Sequence, residues 1–202
     1  MNLDLRRQTQ IWLGLYEREI FKWLACLSKG IQTAADIGCS DGFYTSFLLL
    51  RSSAERVWSF DPDPRFAKVI SENLALNDFK GIERWRFVPR CVGNTAKDHF
   101  SLAQLEQSLR PPALLKIDVE GAELSVLQSA MDLLKNNDVR CIVETHSIRL
   151  ETECLAFFTA LGYRTEILRN AWWRTLVPEE RPIPHNRWLI AFNDNRAAFP
   201  SP

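Results

Sequence analysis

Residues 113–130 read ALLKIDVEGAELSVLQSA, and this stretch carries two patterns in succession. Ala113–Val119 is a short, largely apolar run of the length of a buried strand. Glu120-Gly121 then supplies a turn signal. Beyond it Leu124, Leu127, Met131 and Leu134 recur at steps of three and four, the period of a helix with one apolar face. A strand feeding a helix is half of a βαβ crossover. Three acids and a lysine lie between Lys116 and Glu123, where strand meets helix, and ionised groups rarely enter a buried strand without partners. On an extended strand Lys116, Asp118 and Glu120 share one face. Glu123 falls in the first helical turn, where a carboxylate suits the macrodipole. A structural role, helix capping with a Lys116–Asp118 ion pair, fits the same residues.

The pattern repeats outward in both directions. Thr33–Cys39 is a buried run with a helix predicted from Gly42 to Arg51. Arg56–Asp61 is a second, followed by helical spacing at Phe66, Val69, Ile70 and Leu74. Trp85–Val92 is a third strand candidate, and Arg140–His146 a fifth with a helix over 150–161 stopped by Gly162. Tyr163–Leu168 and Arg187–Phe192 have no helix between them, so they suit a hairpin that brings one antiparallel strand into the sheet. The expectation is an α/β three-layer sandwich with a seven-stranded, mostly parallel sheet. Ahead of it, Trp12, Tyr16, Ile20, Trp23, Leu24 and Leu27 predict an amphipathic helix over 5–28, ended by Lys29-Gly30. The chain is thus expected to be one globular unit: an N-terminal helical extension, 1–30, and the main domain, 31–202.

Composition narrows the function classes. The chain has 202 residues, against about 150 per domain as a guide, and 46% of them are hydrophobic, which excludes a disordered chain. Lys plus Arg (25) balances Asp plus Glu (25), so no large phosphate-neutralising surface and no nucleic-acid partner is expected. No apolar run approaches the ~18–20 residues of a membrane span, and no signal-peptide core follows Met1–Gln10. Five scattered cysteines without a Cys-x-x-Cys pair read as reduced thiols of a cytoplasmic protein.

In a doubly wound sheet, ligands bind outside the carboxyl ends of the strands. After the first run stands Asp36-Ile37-Gly38-Cys39-Ser40-Asp41-Gly42, where Gly38 permits a tight turn and Gly42 a close approach. The dinucleotide fingerprint G-x-G-x-x-G is missing, and two acids repel a pyrophosphate, which argues against a nicotinamide oxidoreductase. An acidic turn suits a cofactor with a positive or zwitterionic end; an ordinary strand-to-helix turn uses the same residues. Asp61, 25 positions after Asp36, is placed to accept two ribose hydroxyls, with Pro62 and Pro64 fixing the loop. Asp61 also suits a simple Asp-Pro turn. Val92 is a candidate to flank an adenine and Asn94 to hydrogen-bond it. Glu144 and His146 share a face at the end of the fifth run, beside Asp118, where a carboxylate–imidazole group can form.

LLKIDVEGAELSVLQSA (114–130), with AADIGCSDGFYT (34–45), WSFDPDP (58–64) and IVETH (142–146), resembles the FkbM-type S-adenosylmethionine-dependent methyltransferases. The similarity runs over 33–147 in the family's order. It implies a class I methyltransferase (Rossmann-like) fold with an antiparallel last strand, S-adenosyl-L-methionine as cofactor, and O-methylation of a hydroxyl on a sugar or secondary metabolite. Residue by residue, it assigns Asp36, Gly38, Ser40 and Gly42 to the first cofactor motif, Asp61 to the ribose, and Asp118 to the methionine end. Cys39-Ser40 and Asp61 depart from the commoner family residues while preserving the chemistry.

The expected base for the hydroxyl proton is His146, oriented by Glu144 or Asp118; a carboxylate, Asp118 or Glu120, is the second choice. No metal is assigned, although a divalent ion held by Asp118, Glu144 and His146 is a variant. Asn170–Arg174, through Pro178, Pro182 and Pro184 to His185, suits a lid whose Trp and Arg stack on a sugar or clamp an acid, and equally a proline-stiffened surface loop. A non-catalytic S-adenosylmethionine-binding or interaction protein of methyltransferase ancestry is the competing class.

Overall fold

The computed structural model describes residues 9–94, 96–105, 107–177, 183 and 185–193. Seven strands form one sheet: β1 Thr33–Ile37, β2 Arg56–Phe60, β3 Trp85–Val88, β4 Ala113–Ile117, β5 Val139–Thr145, β6 Arg164–Leu168 and β7 Arg187–Phe192. Their order is β3-β2-β1-β4-β5-β7-β6. β1 pairs in parallel with β2 and β4, and β4 with β5, whereas β7 runs antiparallel between β5 and β6. The antiparallel strand expected from the missing helix between the last two runs is therefore β7. The strand order reverses between β1 and β4, which opens the crevice there.

Helices cover both faces. On one side lie α2 Phe21–Leu27, α3 Phe43–Arg51 and α4 Arg65–Leu76, which pack with Ala34, Val57, Leu114, Ile142 and Trp188 of the sheet. On the other lie α5 Glu123–Ser129, α6 Met131–Asn136 and α7 Ile148–Ala160, over Ala35, Leu115, Ile117, Cys141, Val143 and Leu189. The alternation of side chains along each strand sends neighbours to opposite layers. Ser147 starts α7 by accepting a hydrogen bond from the Leu150 N–H at 3.1 Å.

Four expectations change. The opening helix is broken into α1 Thr9–Trp12, a 3-10 turn Arg18–Ile20 and α2, with residues 5–8 outside the described part. Gly14 (φ 64) and Glu17 (φ 46) adopt left-handed backbone, which no helix continues. Arg140 of β5 then receives the end of α2, donating to the Leu27 and Lys29 carbonyls at 2.7 Å. Second, β3 stops at Val88 because Pro89 has no N–H to donate, and Val92 makes only an isolated bridge to Phe100. Third, β4 ends at Ile117, so Lys116, Asp118 and Glu120 do not form one strand face; Glu120 is exposed in the turn before Gly121. Fourth, the helix expected through Leu134 is interrupted at Ala130, giving α5 and α6.

Candidate active site at the carboxyl ends of β1, β4 and β5

After β1 the chain reverses through Gly38 (φ 76) and Ser40 (φ 44) to Gly42 (φ 83), where α3 begins. A Cβ on Gly38 would lie 1.8 Å from the Asp118 carbonyl oxygen, so only glycine lets this turn rest against the end of β4. The N–H groups of Gly38 and Cys39 both donate to the Phe60 carbonyl, at 2.9 and 3.1 Å. The Ser40 N–H donates to Asp61 Oδ2 at 3.2 Å, and Asp61 Oδ1 accepts from the Asp63 N–H at 2.9 Å. The turns after β1 and β2 are thereby stitched together, with Asp61 half-buried and Ser40 and Pro62 exposed.

Beneath this turn lies a buried polar cluster. Lys116 is 2% exposed, and its ammonium sits 3.2 Å from Asp118 Oδ2, 3.5 Å from Asp36 Oδ1 and 4.4 Å from the centroid of the Tyr44 ring. Asp36 is fully buried and accepts the Thr45 hydroxyl at 2.7 Å. Burial pushes the Asp36 carboxyl above its ordinary range, although Lys116 and Thr45 pull it back. Burial also opposes the charge on Lys116, but Asp118, Asp36, Glu17 and Glu144 outweigh it and hold the ammonium well above its usual pKa. At Asp118 burial is again the largest influence, raising the pKa; Lys116, a hydrogen bond with Glu144 and His146 overcome it and keep the carboxyl low.

His146 follows β5 directly. Its backbone N–H donates to Glu123 Oε1 at 2.9 Å, and the same oxygen meets His146 Nδ1 at 2.7 Å. Glu123 is fully buried at the start of α5, so the imidazole is clamped at one edge. Nε2 then faces Asp118 Oδ1 at 3.6 Å and Glu144 Oε2 at 4.0 Å. Burial lowers the imidazole pKa, but the Glu123 hydrogen bond, Asp118 and Glu120 reverse that and raise it above 6.5. Asp118, Glu144 and His146 offer ligand atoms within 4.8 Å of one another, so the trio can also hold a divalent ion.

The structure brings together Asp118, Glu144 and His146, and joins Gly38, Ser40 and Asp61 across the first two turns. It sets other candidates apart. Asp36 lies under the crevice, engaged with Thr45 and Lys116. Gly42 is buried against Ile70, whose Cγ1 a Cβ would meet at 2.4 Å. Val92 is buried in the apolar layer beside α5, and Asn94 is taken up by Ser125 and Gln128. Glu120 is exposed in its turn. Of the lid candidates, Arg174 pairs with Glu19 at 2.5 Å, Trp172 is 71% exposed, and residues 178–182 and 184 lie outside the described part. Sequence reasoning missed Glu123 as the partner of His146, and missed Tyr44 and Glu17 entirely. The one available signal was an acid in the first turn after β4.

The sheet order and the crevice define a class I methyltransferase fold. Residues 86–165, from β3 into β6, match the family model described as the methyltransferase FkbM domain. That span includes Lys116–Glu123 and Glu144–His146 but not the turn after β1. Among solved structures, the methyltransferase FkbM from Methylobacillus flagellatus KT is 16% identical with a TM-score of 0.65; the alignment covers 81% of this chain and 44% of that one. This chain therefore spans under half the length of that relative. A putative methyltransferase from Streptococcus mutans in complex with SAH is 14% identical over 87% of this chain and 98% of its own, TM-score 0.57. A putative tRNA (m1A22) methyltransferase from Streptococcus pneumoniae, in complex with S-adenosyl-L-methionine, is 14% identical over 92% and 75%, TM-score 0.54. No curated protein matches the chain. No helix among the described residues is long and apolar enough to cross a membrane.

Proposed function

We propose that the protein is an S-adenosyl-L-methionine-dependent O-methyltransferase that acts on a hydroxyl of a small molecule, a sugar or secondary metabolite. The observation that carries this reading is the His146 imidazole, clamped by Glu123 with Nε2 turned toward Asp118 and Glu144. The residues fit the cofactor. Asp36, Asp118, Glu123 and Glu144 gather around Lys116 and His146, an acidic surrounding that favours a positively charged ligand. Gly38 lets the turn after β1 rest directly on the Asp118 carbonyl, which sets the glycine turn beside the carboxyl end of β4.

When bound, S-adenosyl-L-methionine supplies a methyl group on sulfonium, so that the C–S bond breaks as the C–O bond forms and no covalent enzyme intermediate is required. The turn 38–42 and Asp61 would hold the nucleoside, and Asp118 the methionine end. Neutral His146 takes the hydroxyl proton at Nε2, and Glu123 stabilises the imidazolium through Nδ1. Alignment in such systems contributes up to ~7–11 kcal/mol, and base assistance about 10²–10⁴-fold. Zero net charge supports a small acceptor over a nucleic acid.

The test is mass spectrometry of extract metabolites and of extract RNA, each incubated with the protein and a methyl-labelled donor. Label on a small hydroxyl compound is the expected result. Label confined to RNA overturns the small-molecule assignment, and S-adenosylhomocysteine binding without any transfer favours the non-catalytic reading. The trio Asp118, Glu144 and His146 supports a second reading, a divalent ion that acidifies the hydroxyl. Turnover that persists with EDTA in metal-free buffer removes that ion and leaves the proton to His146.

A further inference from the structure

Part of the cover over the buried charges comes from the N-terminal segment, ahead of the stretch that matches the family. Glu17 is 1% exposed and adopts φ 46, a conformation that L side chains seldom take, just before the turn Arg18–Ile20. The left-handed residue sends its carboxylate inward, where Oε2 accepts the Tyr44 hydroxyl. Tyr44, 5% exposed, presents its ring face to the Lys116 ammonium at 4.4 Å. Lys116 reaches Asp118 Oδ2 at 3.2 Å and the Gly38 carbonyl at 3.5 Å. A continuous buried path thus runs from the extension to both edges of the crevice.

We propose that Glu17 is a positioning residue for the cofactor crevice: through Tyr44 it fixes the Lys116 ammonium, which ties the turn after β1 to Asp118. This rests on the reading that S-adenosyl-L-methionine occupies the crevice. The negative charge of Glu17 also favours the charged form of Lys116. A second acid of the same segment, half-buried, supplies the contrast. Glu19, two positions on, pairs with Arg174 at 2.5 Å and fastens the same segment to the turn Trp172–Thr175. If the extension mattered only as packing, the two acids would be equivalent.

The experiment measures S-adenosylhomocysteine affinity by calorimetry, and melting temperature in parallel, on the full chain and four variants. Glu17→Ala and Tyr44→Phe are expected to weaken binding by about threefold to thirtyfold, the range for residues coupled in one network. Combining them should cost no more than the larger single effect. Glu17→Gln, whose amide oxygen still accepts the Tyr44 hydroxyl, should bind more tightly than Glu17→Ala. Glu19→Gln should lower the melting temperature while leaving affinity unchanged. Unchanged affinity in Glu17→Ala and Tyr44→Phe, equal losses in Glu17→Gln and Glu17→Ala, or an equal loss in Glu19→Gln each overturns the proposal. Should Glu17→Ala fail to fold, Tyr44→Phe and Glu17→Gln decide it. Absence of binding in the unsubstituted protein overturns the underlying cofactor reading instead, so the two failures are distinct.

Discussion

The two faces of the sheet are built from the same strands and follow different rules. The face under α5–α7 presents Ala35, Ile37, Leu115, Ile117, Cys141, Val143, Leu189 and Ala191, all apolar and buried. The face under α2–α4 interleaves Ala34, Leu114, Ile142 and Trp188 with Asp36, Lys116 and Glu144, also buried. The period of two decides which residue goes where, so one strand serves both purposes without compromise. On the first face burial of apolar surface is favourable by itself. On the second, each charge is tolerable only because a partner meets it. The charged residues also stand toward the carboxyl ends of their strands, where the crevice opens. Both layers bury an apolar core, and the second also holds the buried charges at the crevice.

The sharpest way to break this division is to remove the group at its functional edge. His146→Ala should lower kcat by about 10²–10⁴-fold, the usual contribution of a positioned base. S-adenosylhomocysteine affinity should hold, because the cofactor turns do not depend on the imidazole. Turnover that survives the change removes His146 from the mechanism.

Neighbouring residues on β4 sharpen the contrast next. Leu115→Ala opens a cavity in the apolar layer and should cost ~2–5 kcal/mol in denaturant unfolding. Lys116→Met strips Asp36 and Asp118 of their shared cation, with a comparable cost of ~3–5 kcal/mol. Stability alone does not separate the two. Ligand binding does: Lys116→Met should lose S-adenosylhomocysteine affinity, whereas Leu115→Ala should keep it. Equal affinities in the two variants would contradict the division of labour.

Much of this arrangement was legible in the sequence, for a physical reason. Short apolar runs spaced by helical periods leave few alternatives to a doubly wound sheet, and strand ends in such a sheet are neighbours. That is why Asp118, Glu144 and His146, 28 positions apart at the extremes, were expected side by side and are found so. What spacing does not encode is side-chain direction at a turn. Glu123 reads as a helix-start carboxylate, yet the interruption of β4 at Ile117 turns it under His146. Asp36 reads as a cofactor ligand because its turn is at the surface, while strand alternation puts the side chain beneath it. The Glu17–Tyr44 contact depends on a left-handed residue without glycine, for which local sequence holds no signal. Pro89, by contrast, was a visible reason to end β3 early.

The smallest expected effect concerns pH and tests the clamp on His146. Burial opposes the charge on the ring, but Glu123, Asp118 and Glu120 outweigh it and hold its pKa above 6.5, and a further carboxylate oxygen, Glu144 Oε2, stands 4.0 Å from Nε2. Because the folded pKa exceeds the unfolded one, the stabilisation from His146 is fully present below about 6.5 and is lost as pH rises through the folded value. The same shift delays the base: neutral imidazole is required, so the acid limb of kcat should lie on the alkaline side of an ordinary histidine. Glu123→Gln keeps an oxygen near Nδ1 but removes the negative charge, and should move that limb toward lower pH. The measurement is a pH–rate profile in metal-free buffer, with an acceptor-independent check from NMR titration of the ring; only His99 and His185 compete for assignment. A limb that stays in place in Glu123→Gln assigns the proton to a different group and returns Asp118 to consideration as the base.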